Sequence, residues 1–180
     1  MGSEETNAIA SRLCAACGMC CNGVIFSSMR LQPVDSARKL SILGLRAKNR
    51  KDGLHLPQPC PAHNGSHCTI YADRPERCRV FECRQLKEVA NGATDESSAL
   101  EKIDRARQQV DVVRMLLERA GEHRINKPLA ARCAAVFTPP LETDAVAVEA
   151  RNLLTSAMSD LTDTLARDFH TDSVDASRLT

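Results

Sequence analysis

Eight of the nine cysteines lie in the first half of the chain, in two groups whose spacing suits metal binding. The first group consists of Cys14, Cys17, Cys20 and Cys21. A two-residue gap lets two thiolates reach one ion at about 2.3 Å from sulfur to metal, and Gly18 permits the tight turn that this requires. The second group consists of Cys60, Cys68, Cys78 and Cys83. We predict that all eight are metal ligands.

The number of thiols allows two four-thiolate sites, or one iron–sulfur cluster and one further ion. The spacing from Cys14 to Cys20 matches the first three ligands of a bacterial ferredoxin. The fourth ligand of that pattern is missing because position 24 is valine, although Cys60, which precedes a proline, could supply a remote one. All-thiolate sites suit zinc equally. The cofactor is therefore zinc or iron, with a [4Fe-4S] cluster as one form of the latter.

A disulfide framework would use the same number of cysteines but needs an oxidising compartment. The chain begins with Glu4 and Glu5 where a signal peptide has basic residues, and no apolar run follows. No segment approaches the roughly 20 apolar residues of a membrane span. We therefore expect a cytoplasmic protein without a membrane partner, whose thiols stay reduced.

Other residues near the cysteines have several possible roles. His63 and His67 could replace a thiolate or support one, or they are ordinary polar loop residues. Cys133 has small apolar neighbours and is predicted to be a buried structural thiol, with a redox partner as the alternative. Four arginines near the last ligands would offset thiolate charge: Arg74, Arg77, Arg79 and Arg84.

The charge pattern gives little sign of a macromolecular partner. The chain has 24 basic and 23 acidic residues, and a basic stretch from Arg30 to Lys51 contains no aromatic residue that could stack on a base. This argues against nucleic acid as a partner and leaves a protein partner open. There is no glycine-rich phosphate loop, no serine–histidine–aspartate order and no HExxH motif, so no catalytic residue is assigned.

The string Cys68-x-Ile70-Tyr71-x-x-Arg74-Pro75-x-x-Cys78-Arg79-x-Phe81-x-Cys83, together with the CxxCGxCC motif and Cys60, resembles the YkgJ-type cysteine-cluster family of zinc- or iron-chelating CxxCxxCC domain proteins. The resemblance covers residues 12–88. It implies that the eight cysteines are ligands or candidate ligands. A flagellin lysine N-methylase is related to this family, which implies methyl transfer at an iron–sulfur centre as one activity.

Three functions follow from these observations. The first is a metal-binding protein that holds zinc or iron. The second is an iron–sulfur-dependent component of a redox or methyl-transfer enzyme. The third is a zinc-stabilised interaction module whose helices or basic stretch bind another protein or, less favoured by the charge pattern, a nucleic acid.

The elements that must position the cysteines are predicted to be mainly helical. The chain has no tryptophan and one tyrosine, so its core must consist mostly of aliphatic residues, which suits helices. We expect a small metal-stapled domain with short irregular β-hairpin elements and two long C-terminal amphipathic helices. Residues 12–92 would form the cysteine-cluster region and residues 93–170 a helical hairpin that packs on it. Residues 1–11 and 171–180 are predicted to be flexible tails.

Within the cysteine-cluster region, residues 23–26 are predicted to form a strand and residues 55–71 an irregular hairpin. A helix starts near Pro33, with Val34, Ala37, Leu40 and Leu43 inward and Gly44 at its end. Another starts at Pro75 and ends near Gly92.

Two apolar stripes predict the C-terminal helices. Ser98 and Glu101 form a capping box before the first stripe, and Gly121 ends that helix. The first stripe consists of Leu100, Ile103, Ala106, Val110, Val113 and Leu117. The second follows Thr138-Pro139-Pro140 and consists of Val146, Ala150, Leu153, Ala157, Leu161, Leu165 and Phe169.

Overall fold

A computed structural model describes residues 3–138 and 145–170 of the chain. The helices within these residues are α1 (Ser3–Cys17), α2 (Ala37–Ile42), α3 (Glu76–Val80), α4 (Arg84–Ala90), α5 (Glu96–Arg119), α6 (Leu129–Phe137) and α7 (Ala145–Asp168). Three short strands, β1 (Ser28–Arg30), β2 (Lys48–Arg50) and β3 (Gly53–Pro57), form an antiparallel sheet in the order β1-β3-β2. The prediction of a mainly α fold with short β elements is confirmed. None of the described helices is both long and apolar enough to cross a membrane.

Helix α5 is the central helix of the fold and follows its predicted stripe closely. Its buried residues are Ala99, Ile103, Ala106, Val110, Val113 and Leu117. Asp95 caps the helix by accepting a hydrogen bond of 2.8 Å from the Ser98 backbone N–H, so α5 begins earlier than the predicted capping box. At the other end, Gly121 adopts a φ of 77°, as a helix-terminating glycine does.

Helix α7 packs against α5, but one part of its predicted stripe is wrong. Leu161, Leu165 and Phe169 are buried as expected. Leu153, however, is 51% exposed, whereas its neighbour Leu154 is 1% exposed and takes the inward position. Val146 is also exposed. A stripe through 154, 161, 165 and 169 continues with helical spacing, and the adjacent leucines made the register ambiguous in the sequence. Pro139 and Pro140 lie outside the described residues.

Two helices have no counterpart in the sequence-based prediction. Helix α1 takes in most of residues 1–11 and buries Ile9 and Leu13, while Arg12 on its surface forms a bidentate ion pair with Glu96 at 2.6 and 2.7 Å. Helix α6 is short and rich in alanine, and it buries Cys133. Residues 171–180, predicted to be a flexible tail, lie outside the described residues.

The sheet region corrects several local predictions. Residues 23–26 do not form a strand; β1 starts at Ser28, and Val24 and Ile25 instead turn inward to the core. The hairpin consists of β2 and β3, so it begins earlier in the chain than the predicted residues 55–71. Beyond β3, the strand pairing in that range is limited to an isolated bridge between His63 and Cys68.

The two helices predicted in the cysteine-cluster region also need correction. Helix α2 starts after Ser36 and buries Leu40 as predicted, but Val34 is 75% exposed because it precedes the helix. The helix predicted from Pro75 to Gly92 is divided into α3 and α4, and Cys83 lies at the break as the cap of α4.

Buried apolar residues form two clusters of unequal size. The larger core combines residues of α1, the following turn, α4, α5, α6 and α7, so both predicted regions of the chain contribute to it. The smaller cluster lies around the sheet and contains Leu31, Leu40, Leu45, Leu56 and Ala62. The helices therefore have a substantial core of their own, and the sheet region does not.

The adjacent leucines of α7 give a direct test of the helix register. We expect Leu154→Ala to lower the free energy of unfolding by about 2–5 kcal/mol, because it leaves a cavity in the larger core. Leu153→Ala, the matched control, should cost less than about 1 kcal/mol because that side chain is half exposed. Urea denaturation followed by circular dichroism measures both. Equal losses, or a larger loss for Leu153→Ala, would contradict the register.

Candidate metal centre

All eight predicted ligands line one cavity of about 760 Å³, called here the cysteine cavity. They are Cys14, Cys17, Cys20, Cys21, Cys60, Cys68, Cys78 and Cys83. All nine cysteines of the chain are free thiols. Cys133 does not line this cavity, and its side chain is buried in the larger core. The fold thus brings together cysteines that are up to 69 positions apart in the sequence, from Cys14 to Cys83.

The end of α1 and the turn after it position the first four thiols. Cys14 and Cys17 are three residues apart in the last turns of α1, which places them on the same face. Gly18 then donates its N–H to the Cys14 carbonyl at 3.0 Å and turns the chain with a φ of 63°. Its carbonyl accepts hydrogen bonds from the N–H groups of Cys21 (3.0 Å) and Asn22 (2.9 Å). These bonds fold the chain back so that Cys20 and Cys21 face the cavity.

Gly18 also touches the loop that carries the next two thiols. A Cβ atom at this position would lie 3.0 Å from the Cε1 atom of His63. In that loop, the His63 N–H donates to the Cys60 carbonyl at 3.0 Å, and His63 forms a β-bridge with Cys68. The loop therefore folds into a narrow hairpin that presents Cys60 and Cys68 beside the turn.

The last two thiols come from the α3–α4 segment. Cys78 on α3 donates its Sγ–H to the Met29 Sδ at 3.5 Å. Cys83 is the N-cap residue of α4; burial raises the pKa of its thiol, and backbone N–H groups in the first turn of the helix partly offset this effect. Between them, Phe81 packs edge-on against Phe26, with 5.0 Å between ring centroids.

The donor set fits a thiolate-bound metal, although the thiols are not gathered tightly around a point. No group of three or more histidine, cysteine, aspartate or glutamate side chains among the described residues is arranged so that it could hold an ion as it stands. A tetrahedral zinc site with bonds of 2.3 Å requires sulfurs about 3.8 Å apart. The thiols that bind any one ion must therefore move closer to one another when the ion binds.

Burial keeps several of these thiols protonated in the absence of metal. Burial, together with the charges of neighbouring cysteines, raises the pKa of Cys17 and of Cys78 to about 12 and that of Cys14 and of Cys21 to about 11. Cys20 is raised well above its ordinary value for the same reasons. A metal cation would replace these protons and remove the cost of burying bare thiolates.

Arg74 is the arginine that acts on the thiols, as the sequence suggested. Its charge lowers the pKa of Cys14, Cys21 and Cys78, although burial outweighs this effect. The Arg74 guanidinium lies 3.6 Å from the centre of the Tyr71 ring, and its Nε–H donates to the Tyr71 carbonyl at 3.1 Å. The Tyr71 hydroxyl in turn forms a hydrogen bond with the Ser11 Oγ of α1, with 2.8 Å between the two oxygens.

Two of the other three arginines donate hydrogen bonds to backbone carbonyls. Arg79 donates to the carbonyls of Arg74 (2.8 Å) and Ala72 (3.0 Å), which supports the turn before α3. Arg84 donates to the carbonyl of Arg167 near the end of α7. Arg77 lines the cysteine cavity.

Both loop histidines line the cysteine cavity, but they differ in their surroundings. His63 is half-buried, and burial together with the charge of His67 lowers its pKa, which keeps the imidazole neutral and able to bind metal. His67 is exposed, and its ring contacts Asn64 and Ser66. Of the two, His63 is better placed to support a thiolate ligand.

Sequence reasoning missed a polar network on the cavity wall formed by the sheet. The Ser28 Oγ lies 3.1 Å from the His55 Nδ1, and the His55 Nε2 lies 3.0 Å from the Asp52 Oδ1. All three residues line the cavity, and His55 is buried. Leu54 and Leu56 flank His55 in the sequence, which could have indicated that His55 is buried. The contact with Ser28 could not be seen in the sequence, because it depends on the pairing of β1 with β3.

Comparison with known proteins gave one match. A family model, CxxCxxCC, described as "Putative zinc- or iron-chelating domain", matches residues 13–109, just over half of the chain. The match includes all eight cysteines of the cavity and excludes Cys133. No curated protein and no solved structure matched.

The raised thiol pKa values predict a pH-dependent stability that bound metal abolishes. Below pH 9, the ordinary pKa of a thiol, the folded and unfolded chains both keep their thiols protonated. As the pH rises toward the folded value of about 12, the unfolded chain loses protons that Cys17 and Cys78 retain in the folded chain. The free energy of unfolding must therefore fall over this range.

Urea denaturation of the reduced, metal-free chain at about pH 7.5 and about pH 10 measures this effect. We expect the midpoint to fall at the higher pH. The metal-loaded chain is the control, because it contains the same lysines and tyrosine; its midpoint should not show this fall, since its ligand thiols have already lost their protons to the metal. Equal changes in both forms would contradict the assignment.

Proposed function

The chain belongs to the CxxCxxCC family of zinc- or iron-chelating domains, and we propose that it is a metal-binding protein that holds zinc or iron through the cysteine cavity. The proposed ligands are Cys14, Cys17, Cys20, Cys21, Cys60, Cys68, Cys78 and Cys83. The observation that carries this proposal is that all eight thiols line one cavity although they come from five separate parts of the fold.

The chemistry of the donors supports the same conclusion. Thiolates are soft ligands and select zinc or iron–sulfur clusters over magnesium or calcium. When bound, zinc supplies a crosslink between the segments that hold it, and an iron–sulfur cluster also supplies electron transfer. Arg74 would offset part of the negative charge of a four-thiolate site. Such free thiols persist in a reducing compartment, which supports the cytoplasm as the location.

The unequal cores support a structural contribution from the metal. The smaller cluster has only five buried residues, and the segment from 58 to 75 carries little regular structure. A metal that joins this segment to α1 and α4 would supply much of its folding free energy, on the order of 10 kcal/mol per structural zinc in model peptides. Residues 12–92 would then be the part of the chain that depends on metal.

A second candidate is an iron–sulfur component of a redox or methyl-transfer enzyme. Its support is the space beside the thiols: about 760 Å³ is within the range of roughly 300–1,000 Å³ that small-molecule sites occupy. The network of Ser28, His55 and Asp52 could bind a polar molecule there. Anaerobic purification separates the candidates, because an iron–sulfur protein is brown and a zinc protein is colourless.

Metal content tests the ligand assignment directly. We expect the chain, produced in metal-replete cells and purified without oxygen, to contain about two zinc ions or an iron–sulfur cluster. Cys17→Ser should lower that content because it removes a ligand. Cys133→Ser is the matched control: it should keep the content unchanged and cost no more than about 2 kcal/mol of stability.

Elemental analysis measures the metal, and titration of thiols under anaerobic conditions confirms that none has been oxidised. Wild-type protein with less than about a tenth of an equivalent of any transition metal would contradict the proposed function. Loss of metal in Cys133→Ser but not in Cys17→Ser would contradict the ligand set.

Chelation tests the structural contribution. Removing the metal with a strong chelator should increase amide hydrogen exchange in β1, β3 and residues 58–75. The amides of α5 and α7 should stay protected because these helices pack in the larger core. Exchange measured by mass spectrometry before and after chelation gives the comparison. Unchanged exchange after complete metal loss would mean that metal binds to an already stable fold.

A further inference from the structure

We propose that the eight thiols form two four-thiolate sites whose members do not follow their order in the chain. The helix-side site consists of Cys14, Cys17, Cys20 and Cys83. The sheet-side site consists of Cys21, Cys60, Cys68 and Cys78. The inference rests on the proposed function and divides its ligands: Cys83 joins the first group of the sequence, and Cys21 joins the second.

The apolar surroundings of the thiols separate them in this way. Cys17, Cys20 and Cys83 pack against the larger core. Cys60 and Cys68 pack against the smaller cluster around the sheet. Cys83 therefore shares its environment with residues more than sixty positions away and not with Cys68, which is much closer in sequence.

The helices explain why Cys83 belongs to the helix-side site. Cys83 is the residue that begins α4, and α4 packs against α1, whose last turns carry Cys14 and Cys17. This packing brings the start of α4 to the end of α1, where Cys14 and Cys17 lie.

A backbone hydrogen bond attaches Cys21 to the other site. The Cys60 N–H donates to the Cys21 carbonyl at 2.7 Å. This bond places Cys21 beside the loop that carries Cys60 and Cys68.

Cys78 completes the sheet-side site. Its thiol donates to the thioether of Met29, which lies in β1 and packs against the smaller cluster. Its helix is tied to the loop before α2, because the Glu76 N–H donates to the Asp35 carboxylate at 2.8 Å.

The arrangement makes the Cys20–Cys21 peptide a covalent link between the sites. One turn after α1 gives Cys20 to the helix-side site and Cys21 to the sheet-side site. The segment from Cys78 to Cys83 is a second link, since it also contributes one ligand to each. Filling one site would therefore restrain two segments that the other site uses.

Paired variants distinguish this division from one that follows sequence order. Cys17→Ser/Cys83→Ser removes two ligands of the helix-side site and should leave about half of the wild-type zinc or iron. Cys78→Ser/Cys83→Ser removes one ligand from each site and should leave almost none. The sequence-order division requires the opposite result. Elemental analysis of the full-length chain measures both, and circular dichroism checks that the helices are retained.

A measurement on the wild-type chain avoids variants that fail to fold. The reduced, metal-free chain is loaded with one equivalent of zinc, the remaining thiols are alkylated, and mass spectrometry gives the protection of each cysteine. Protection of Cys83 should follow that of Cys17, and protection of Cys21 should follow that of Cys78. Protection of Cys21 together with Cys17, or of Cys83 together with Cys78, would overturn the division.

The outcomes also separate this inference from the proposed function. A wild-type chain that binds no zinc and contains no iron contradicts the function itself. A chain that binds metal but loses all of it in both paired variants, while its helices remain, has one centre that uses all eight thiols. That result would overturn the two-site division and leave metal binding intact.

Discussion

The cost of burying charge next to charge governs this structure. Eight thiols face one cavity, and each thiolate that forms there loses its hydration and meets the negative charge of its neighbours. One nearby guanidinium, Arg74, offsets only part of this cost. The metal-free chain therefore keeps its protons, and a cation of high charge is what allows several thiolates to coexist. Metal binding and proton release are consequently one event in this protein.

The fold supports the cavity from two unequal sides. On one side, α1 and α4 pack with α5 in a continuous apolar core, so the cysteines at the end of α1 and at the start of α4 are held by well-packed helices. On the other side, a three-stranded sheet and a loop with one β-bridge hold theirs over a few buried residues. The rigid side can position ligands in advance, whereas the sheet side gains order from the ligands that it shares.

The fold class, the family and the set of cavity cysteines could be predicted from the sequence, because these depend on residue type and local spacing. The sequence also indicated most of the inward face of α5, where Ile103, Ala106 and Val110 fix the register before the adjacent pairs Val112–Val113 and Leu116–Leu117 are reached. Leu153 and Leu154 are adjacent and chemically identical, so only the packing of α7 on α5 decides between them. The proposed grouping of Cys21 and Cys83 could not be predicted from the sequence for a related reason. It depends on the packing of α4 against α1 and on the contact between the loop after β3 and the turn after α1.

The contact between Gly18 and His63 limits which sequences can share this fold. Several other glycines with positive φ, such as Gly65, have no atom within 4 Å of an added Cβ, so only the strain of the backbone conformation opposes a side chain there. At position 18 a side chain would meet the imidazole at once. In natural variants of this fold, position 18 should therefore remain glycine, or residues 18 and 63 should change together.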